Sequence, residues 1–408
     1  MSQGNRHPER PFLWHITGTL VIVLIGSTLW WGSFRFWNPA PYGGPHAADA
    51  RIFVLAVLFA YLCSLWGSQK ILALPRCGRL TGVLSSAFLC FASASLLLFF
   101  WGRLYYSRPF WAWGFIASVL WIYGGHRLFF SFGQTIYAFL PGAVIPELEK
   151  EWRPNFVRLE STDFAPPYDV LVTPPTTRHL STEWLRYVTN RTIQGIPIVH
   201  PAFLYEFFTG RMPIEHMTDE RGFLFRPPLA YLPLKRVLDW GLLLLSLPPA
   251  LILMGTIGIL SLFHRPVFFT QERAGRNGVP FRIYKFRTMG PDGTVTRMGK
   301  FLRRHRLDEL PQLLNILRGE MSFIGPRPEV VDLANRYAEE ISFYSYRTSL
   351  LPGLTGWAQV NYGYASVTSE NRIKLGYDLY YIKHASIALD ALILLKTIRA
   401  VFTGFGAR

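Results

Sequence analysis

Two adjacent carboxylates, Asp308 and Glu309, stand inside the stretch RLDELPQLLNILRGEMSFIGPRPE, residues 306–329. The arginines close to them along the chain are Arg303, Arg304, Arg306 and Arg327. Planar guanidinium groups match phosphate oxygens through paired hydrogen bonds, so these arginines favour a phosphorylated ligand. An aspartate can attack phosphorus to form an acyl phosphate, and a carboxylate with a hard cation can hold diphosphate oxygens. The segment therefore predicts covalent phosphate chemistry or a divalent metal site.

The same residues also fit a purely structural role. Leucines recur at helical spacing over residues 307–317 and predict one amphipathic helix. Pro311 is tolerated only in the first turn of a helix, which places the helix start near Asp308. Asp308 would then be the N-cap, and Glu309 would be a first-turn partner of the helix dipole. Because a helix N-terminus also binds anions and capping needs no arginines, the phosphate role stays open beside the structural one.

A further basic segment is YKFRTM, residues 284–289. Its alternation predicts a strand with Lys285 and Arg287 on one face and with Tyr284 and Phe286 on the other. This strand would add two cations to those that surround the carboxylates.

The elements that position these residues include membrane segments, because the 408-residue chain is 50% hydrophobic and has a mean hydropathy of +0.19. Residues 1–140 contain four apolar runs, each close to the length that spans a bilayer and edged by Trp, Tyr or Arg. The runs are 12–31, 52–66, 80–101 and 110–123. They predict a transmembrane bundle of about four helices.

Residues 141–230 are rich in proline and contain no long apolar run. YDVLVT and IPIV predict strands, and STEWLRYVTNRTIQ between them predicts a helix capped by Ser181. The order strand, helix, strand predicts a small parallel α/β unit, a Rossmann-like remnant. A nucleotide site would need a glycine-rich turn after the first strand, and none is present, so a spacer or regulatory role is favoured.

A fifth apolar run, residues 237–263, contains Pro248 and Pro249 near its middle. Paired prolines remove helix donors and predict a break. Two interpretations follow: a kinked transmembrane helix, or a re-entrant hairpin that enters and leaves by one membrane face. The basic residues at both ends slightly favour the hairpin; they are Lys235, Arg236, His264 and Arg265.

The formal net charge of +16 predicts polyanionic partners. Residues 265–306 alone hold eleven Lys and Arg against two acidic residues. Membrane anchoring argues against a free nucleic-acid binder, so nucleic acid is not an expected partner, whereas anionic membrane lipids and a phosphorylated substrate are. A helix predicted over 386–402 fits either the headgroup layer or a protein core.

Three motifs occur in order within residues 234–408: KFRTM, LDELPQLLNILRGEMSFIGPRPE and PGLTGWAQVNYGYA. Together they resemble the bacterial sugar transferase family, the monotopic polyprenol-phosphate phosphoglycosyl transferases, and the N-terminal part resembles the family's large exopolysaccharide-type members. The resemblance implies that the run at 237–263 is a proline-broken re-entrant membrane helix. The predicted fold is then a membrane α-helical bundle (1–140), a small α/β Rossmann-like remnant (141–230) and a mainly helical α+β catalytic domain (231–408).

The resemblance also implies a reaction in two steps. Asp308 would attack the β-phosphate of a UDP-sugar and expel UMP, and undecaprenyl phosphate would then take the sugar phosphate from the protein. Glu309 would assist Mg²⁺ and the diphosphate, so Asp308 and Glu309 are the predicted catalytic and metal-binding residues. The predicted substrate-binding residues are Lys285, Arg287, Arg303 and Arg327. The predicted location is the cytoplasmic face of the bacterial inner membrane, and a homo-oligomer is left open.

Other functions are less well supported by the sequence. A nucleotide-sugar glycosyltransferase commonly needs an Asp-x-Asp motif, and a kinase or ATPase needs a Walker-type phosphate loop; the sequence contains neither. The remaining alternative is a non-catalytic membrane scaffold of a polysaccharide assembly complex. A scaffold predicts that Asp308→Asn leaves biological function intact, whereas a transferase predicts its loss.

Overall fold

The structure is a computed structural model of the 408-residue chain. It describes residues 17–18, 46–72, 79–100, 108–129, 135–144, 146–150, 153, 155–162, 167–174, 180–214, 227–228, 231–261, 266–290, 292–362 and 368–403.

Three of the four N-terminal apolar runs form helices in the described residues: α1 (His46–Leu72), α2 (Arg79–Phe100) and α3 (Arg108–Phe129). Their contact faces bury both small and aromatic side chains, among them Tyr61, Ala87 and Phe91. The run at 12–31 lies outside the described residues except for residues 17–18. That these helices cross a membrane stays a prediction.

Four strands and three helices follow: β1 (Tyr137–Phe139), α4 (Pro146–Glu149), β2 (Phe156–Arg158), β3 (Val170–Val172), α5 (Thr182–Ile193), β4 (Ile198–Val199) and α6 (Pro201–Thr209). The strands form one sheet in the order β2-β1-β3-β4. The amide of Leu171 donates to the carbonyl of Pro197, and the amide of Thr173 donates to that of Val199. Donor and acceptor positions both increase by two along the chain, which shows that β3 and β4 are parallel. The predicted strand, helix and strand are therefore present, and the Ser181 hydroxyl accepts a hydrogen bond from the first turn of α5 as expected.

Helix α7 (Tyr231–Leu260) is the one helix in the described residues that is long and apolar enough to cross a membrane. The sequence predicted a break at Pro248 and Pro249, but α7 continues across both prolines. Each proline removes an amide that would bond the carbonyl four residues earlier. Both prolines are exposed, while Leu243, Ala250 and Ile257 on the buried side pack on the core and hold the helix together. A re-entrant path through the membrane stays a prediction.

Buried polar groups fix the first half of α7 to the core. The Tyr231 hydroxyl and the Lys235 ammonium both donate to Oδ2 of Asp390, the ammonium at 3.3 Å. One turn further on, Oδ1 of Asp239 accepts from the Ser322 hydroxyl at 2.9 Å. The other faces of this helix carry large exposed apolar side chains, which a lipid environment would cover.

The remaining elements are β5 (Phe268–Ala274), β6 (Pro280–Phe286), α8 (Arg297–Arg304), α9 (Leu313–Leu317), β7 (Ser322–Ile324), α10 (Val331–Glu340), β8 (Gly353–Thr355), α11 (Trp357–Asn361), α12 (Thr368–Lys383) and α13 (Ile387–Thr403). Strands β5 and β6 form an antiparallel hairpin with Phe268 opposite Phe286, and β7 pairs with β8 in parallel. The first half of α13 buries Leu389 and Leu392, so this part of the predicted 386–402 helix lies in the core.

The predicted helix over 307–317 was wrong in its first half. Leu307–Gln312 forms a 3-10 turn, and only Leu313–Leu317 is α-helical, so Asp308 does not cap an α-helix. Pro311 has no amide hydrogen, and in an α-helix its ring would clash with the carbonyl four residues earlier, so the α-helical part begins only after this proline. The turn follows Arg306, whose φ of 55° lies in the left-handed region.

The strand predicted over 284–289 ends earlier, at Phe286. The chain then turns so that the carbonyl of Thr288 accepts from the amide of Thr296, the N-cap of α8. A Cβ on Gly299 would lie 2.1 Å from the same Thr288 carbonyl oxygen, so the close approach of α8 requires glycine at this position.

The chain divides into two compact units. Among the described elements, the first unit holds α1 to α3 and β2, and the second holds α4, α6 to α13 and β4 to β8. The predicted domain limits of 1–140, 141–230 and 231–408 stay predictions.

Candidate active site

A cavity of about 530 Å³ opens in the second unit, between β6, the 3-10 turn, α10 and α12. Six residues predicted from the sequence line it: Lys285, Arg287, Arg303, Asp308, Glu309 and Arg327. The structure therefore brings together residues from two of the motifs, KFRTM and LDELPQLLNILRGEMSFIGPRPE, and Arg303, which lies between them in the sequence. Pro248 and Pro249 of α7 are not part of this lining.

Glu309 is only 5% exposed and is surrounded by cations. Its Oε1 accepts from Nζ of Lys285 at 2.9 Å and from Nη2 of Arg327 at 2.7 Å, and Nη1 of Arg306 lies 4.0 Å from its Oε2. Burial alone would raise the pKa of Glu309, but the charges of Arg327 and Lys285 outweigh burial and hold this pKa well below its usual range. Glu309 is therefore ionised, and its charge holds both cations at the cavity wall.

Asp308 lines the same cavity but lacks these partners. Within the described residues, its carboxylate forms no ion pair and no hydrogen bond with another side chain. Burial, followed by the negative charge of Glu309, raises the pKa of Asp308, and Lys285 and Arg327 oppose this shift. Once ionised, Asp308 is a more basic carboxylate than usual, with open space beside it. These are the properties of a nucleophile.

The 3-10 turn explains why neighbouring carboxylates have such different surroundings. Leu307 and Leu310 pack against the buried cluster of Phe286 and Leu302, which fixes the orientation of the turn. With three residues per turn, adjacent side chains point about 120° apart. One carboxylate is therefore enclosed by the protein while its neighbour borders the cavity.

Two further predicted cations border the cavity. Nε of Arg303 donates to the Thr288 hydroxyl at 2.8 Å, which orients the guanidinium group. Arg287 follows the end of β6, and its backbone amide donates to the carbonyl of Val267 at 2.8 Å. In the part of the chain that the structure describes, no carboxylate pairs with either guanidinium, so both can bind an anionic ligand.

A second charged cluster adjoins the cavity and was missed from the sequence. Glu329 accepts from Nζ of Lys374 at 2.5 Å, and Arg347 donates to Asp378 at 3.0 Å. Arg347 also donates to the backbone carbonyl of Arg327 at 2.9 Å, so the cluster supports the chain that carries Arg327. Burial would raise the pKa of Glu329, but Lys374 and Arg347 lower it to about 2.

The sequence did contain a signal for this cluster. Lys374 and Asp378 are four residues apart in KLGYDLYYIKH and so share one helix face, but the aromatic residues made the segment look like ordinary packing.

Gln359 is the member of the GWAQVNYGYA motif that lines the cavity, among the motif residues 356–362 that the structure describes. Trp357 is instead a packing residue, since its indole is buried and donates to the carbonyl of Gly210 at 2.7 Å. Oε1 of Gln359 is buried and has no hydrogen-bond partner among the described residues. Because an unpaired buried acceptor is costly, this oxygen is suited to accept a hydrogen bond from a bound molecule.

Comparisons with known proteins place this cavity in a family. The model of the bacterial sugar transferases matches residues 230–404, which include every residue of the cavity lining. A protein of Aeromonas hydrophila, named UDP-N-acetylgalactosamine-undecaprenyl-phosphate N-acetylgalactosaminephosphotransferase, is 34% identical over 422 residues, which cover 98% of this chain and 96% of that protein. The chain belongs to the bacterial sugar transferase family.

Other members of the family match a shorter part of the chain. A protein of Caulobacter vibrioides named UDP-glucose:undecaprenyl-phosphate glucose-1-phosphate transferase is 39% identical over 186 residues, which are 41% of this chain and 70% of that protein. A protein of Escherichia coli K12 with the same name is 39% identical over 155 residues, which are 34% of this chain and 33% of that protein. The family's shared part is thus much shorter than the chain.

The geometry also bears on the predicted metal-binding roles of Asp308 and Glu309. Among the described residues, no group of three or more His, Cys, Asp or Glu could hold a metal ion. Lys285 and Arg327 bind Oε1 of Glu309, whereas Nη1 of Arg306 lies 4.0 Å from its Oε2, so the metal-binding role of Glu309 stays a prediction. Mg²⁺ commonly binds proteins through only one or two carboxylates, together with substrate phosphates and water. The metal-binding role of Asp308, which borders the cavity, likewise stays a prediction.

Proposed function

We propose that this member of the family transfers a hexose 1-phosphate from a UDP-sugar to undecaprenyl phosphate, giving undecaprenyl-diphosphate-sugar and UMP. This would be the first membrane step of exopolysaccharide or surface glycan synthesis, on the cytoplasmic face of the bacterial inner membrane. The relatives' names support the substrates and products. One observation carries the proposal for the chemistry: a carboxylate without a side-chain partner among the described residues, Asp308, borders a cavity lined by cations.

In the first proposed step, a carboxylate oxygen of Asp308 attacks the β-phosphorus of the donor. A new bond forms between this oxygen and phosphorus, and the bond from phosphorus to the bridging oxygen breaks, so UMP leaves with the electron pair. In the second step, a phosphate oxygen of undecaprenyl phosphate attacks the same phosphorus and releases the Asp308 carboxylate. No oxidant or reductant is needed, and the two steps restore the protein to its starting state.

The cations of the cavity support this chemistry electrostatically. Negative charge builds up on the phosphoryl oxygens during transfer, and fixed positive groups stabilise it most where water is excluded. Glu309 would act by holding Lys285 and Arg327 in place, while Arg303 and Arg287 would bind the donor's phosphates. Mg²⁺, as a proposed cofactor, would neutralise diphosphate charge when bound with the donor.

The proposal is tested by purifying the full chain and measuring UMP release with Mg²⁺ and a panel of UDP-sugars, with and without undecaprenyl phosphate. UDP-N-acetylgalactosamine and UDP-glucose come first in the panel, because the relatives' names contain these sugars. We expect one donor to give continuous UMP release only when the lipid acceptor is present. Absence of UMP with every donor would refute the transferase function.

The raised pKa of Asp308 predicts the pH dependence of the reaction. The nucleophile must be ionised, so kcat/KM should fall as the pH drops through the pKa of Asp308, at a higher pH than for an ordinary aspartate. In Glu309→Gln the neighbouring negative charge is gone, which lowers the pKa of Asp308. The acidic limb of the residual activity should therefore move to lower pH. A limb that stays in place, or moves to higher pH, would contradict this assignment.

Gln359 is predicted to bind substrate through its buried Oε1. In Gln359→Leu we expect kcat/KM to fall about tenfold to hundredfold, since a buried hydrogen bond to the substrate would be lost. The free energy of unfolding should change little, because the removed oxygen has no partner among the described residues and the amide nitrogen donates only a long hydrogen bond, 3.4 Å, to the carbonyl of Leu354. Steady-state kinetics and chemical unfolding of the same preparation measure both quantities. A variant with lower stability and unchanged kinetics would show a structural role instead.

A further inference from the structure

A second, smaller cavity of about 200 Å³ lies where the first half of α7 meets the segment after α9. It shares no lining residue with the cavity that contains Asp308. Two arginines contribute to its lining, Arg236 from α7 and Arg318 from the end of α9. The apolar part of its lining includes Trp240, Leu243 and Leu317.

Neither guanidinium group has a carboxylate partner in the described ranges of the chain. Nη1 of Arg318 donates to the Tyr284 hydroxyl at 2.8 Å, and the guanidinium lies 5.3 Å from the centre of the Tyr284 ring. Nη1 of Arg236 lies 3.4 Å from the place that a Cβ on Gly319 would occupy. Gly319 has a φ of 75°, in the left-handed region that favours glycine, and the neighbouring arginine leaves little room for a larger side chain.

The carboxylate in the lining, Asp239, does not neutralise these arginines. Its Oδ1 accepts from the hydroxyl of Ser322 at 2.9 Å and from the amide of Phe323 at 3.2 Å. Its nearest basic partner is Lys235, at 3.9 Å. The cavity therefore presents two positive charges that an anion could satisfy.

The surroundings of the cavity are those of a membrane interface. On α7, Arg236 is next to the exposed Val237, and Trp240 is 53% exposed one turn further on. Leu317, beside Arg318, is 44% exposed. Arginine and tryptophan bordering an apolar helix surface are typical of the headgroup level of a bilayer, where their apolar stems face lipid and their polar groups face water.

We propose that this second cavity binds the phosphate of an anionic phospholipid headgroup between Arg236 and Arg318. The acyl chains lie along Trp240, Leu317 and the exposed face of α7. A free phosphate ion would satisfy the two arginines but would leave this apolar border uncovered, so the geometry favours the lipid. The bound lipid would fix the first half of α7 at the membrane surface, independently of the transfer chemistry in the larger cavity.

The test measures lipid retention directly. The full chain is purified in detergent with defined mixtures of phosphatidylglycerol and phosphatidylcholine, and bound lipid is counted by native mass spectrometry. We expect phosphatidylglycerol to be retained in preference to phosphatidylcholine. Arg236→Gln and Arg318→Gln should each weaken retention about fivefold, the contribution expected of one basic residue near an anionic headgroup. The matched control is Arg186→Gln on α5, an exposed arginine outside the cavity, and it should retain lipid like the wild type.

Three results would overturn the proposal. One is equal retention of the two lipids, which would mean that headgroup charge is not recognised. Another is unchanged phosphatidylglycerol retention in the Arg236→Gln, Arg318→Gln double variant, provided that its thermal unfolding matches the wild type. The third is complete release of phosphatidylglycerol by inorganic phosphate, which would show a site for the free ion. None of these readouts depends on UMP release, so the lipid site and the proposed transferase function can fail separately.

Discussion

Asp308→Asn is expected to abolish UMP release and to leave the fold unchanged. The asparagine side chain has nearly the same shape but cannot form the bond to phosphorus that the first step requires. Removal of a covalent nucleophile generally costs several orders of magnitude in kcat, so we expect a loss of about a thousandfold or more. UMP release with the donor found in the panel measures this loss.

The matched control is Asp332→Asn, which removes one exposed carboxylate near the start of α10 and should keep wild-type activity. A second measurement addresses the intermediate. Without undecaprenyl phosphate, a donor labelled in its sugar should label the wild-type protein and release a single equivalent of UMP. Asp308→Asn should show neither effect. If Asp308→Asn turns over donor at the wild-type rate, neither the covalent step nor a catalytic role of this carboxylate can be kept, and the scaffold alternative gains support.

The residue types of the candidate site could be predicted from the sequence because they are clustered along the chain. Asp308, Glu309 and Arg327 fall within 24 consecutive residues, and this combination of carboxylates and arginine indicates a phosphate ligand even before the fold is known. The different surroundings of the two carboxylates could not be predicted this way. They depend on a 3-10 turn that follows a left-handed residue, Arg306, whereas leucine spacing alone indicates a regular helix.

Long-range partners set a second limit on prediction. Lys374 binds Glu329 across 45 residues of sequence, and the indole of Trp357 binds the carbonyl of Gly210 across 147. Neither pair leaves a local pattern, because each contact is made by the packing of α12 or α11 against distant segments. The apolar character of α7 was evident from its composition, but its continuity across Pro248 and Pro249 depends on packing on its buried side, which composition does not encode.

Alanine substitution of the two adjacent carboxylates should have opposite effects on stability. Glu309→Ala leaves Lys285 and Arg327, which are partly buried at the cavity wall, without their shared partner. A hydrogen bond to a charged group typically contributes about 1.5–3 kcal/mol, and we expect a loss of this size in the free energy of unfolding, because both cations keep some contact with solvent. The lowered pKa of Glu309 also predicts that this side chain stabilises the fold. Its ionised form stabilises the fold above its unfolded-state pKa, and this stabilisation is lost as the pH falls through the folded-state pKa.

Asp308→Ala is the matched control for this effect, one residue away. The pKa of Asp308 is raised in the folded state, so its ionised form is disfavoured by folding at neutral pH, and its removal should leave stability unchanged or slightly higher. Chemical unfolding of both variants at neutral pH, followed by tryptophan fluorescence, measures the difference. Equal stabilities for the two variants would mean that Glu309 does not hold the cations in place. The proposal that Glu309 positions the cations while Asp308 attacks phosphorus would then lose its structural support.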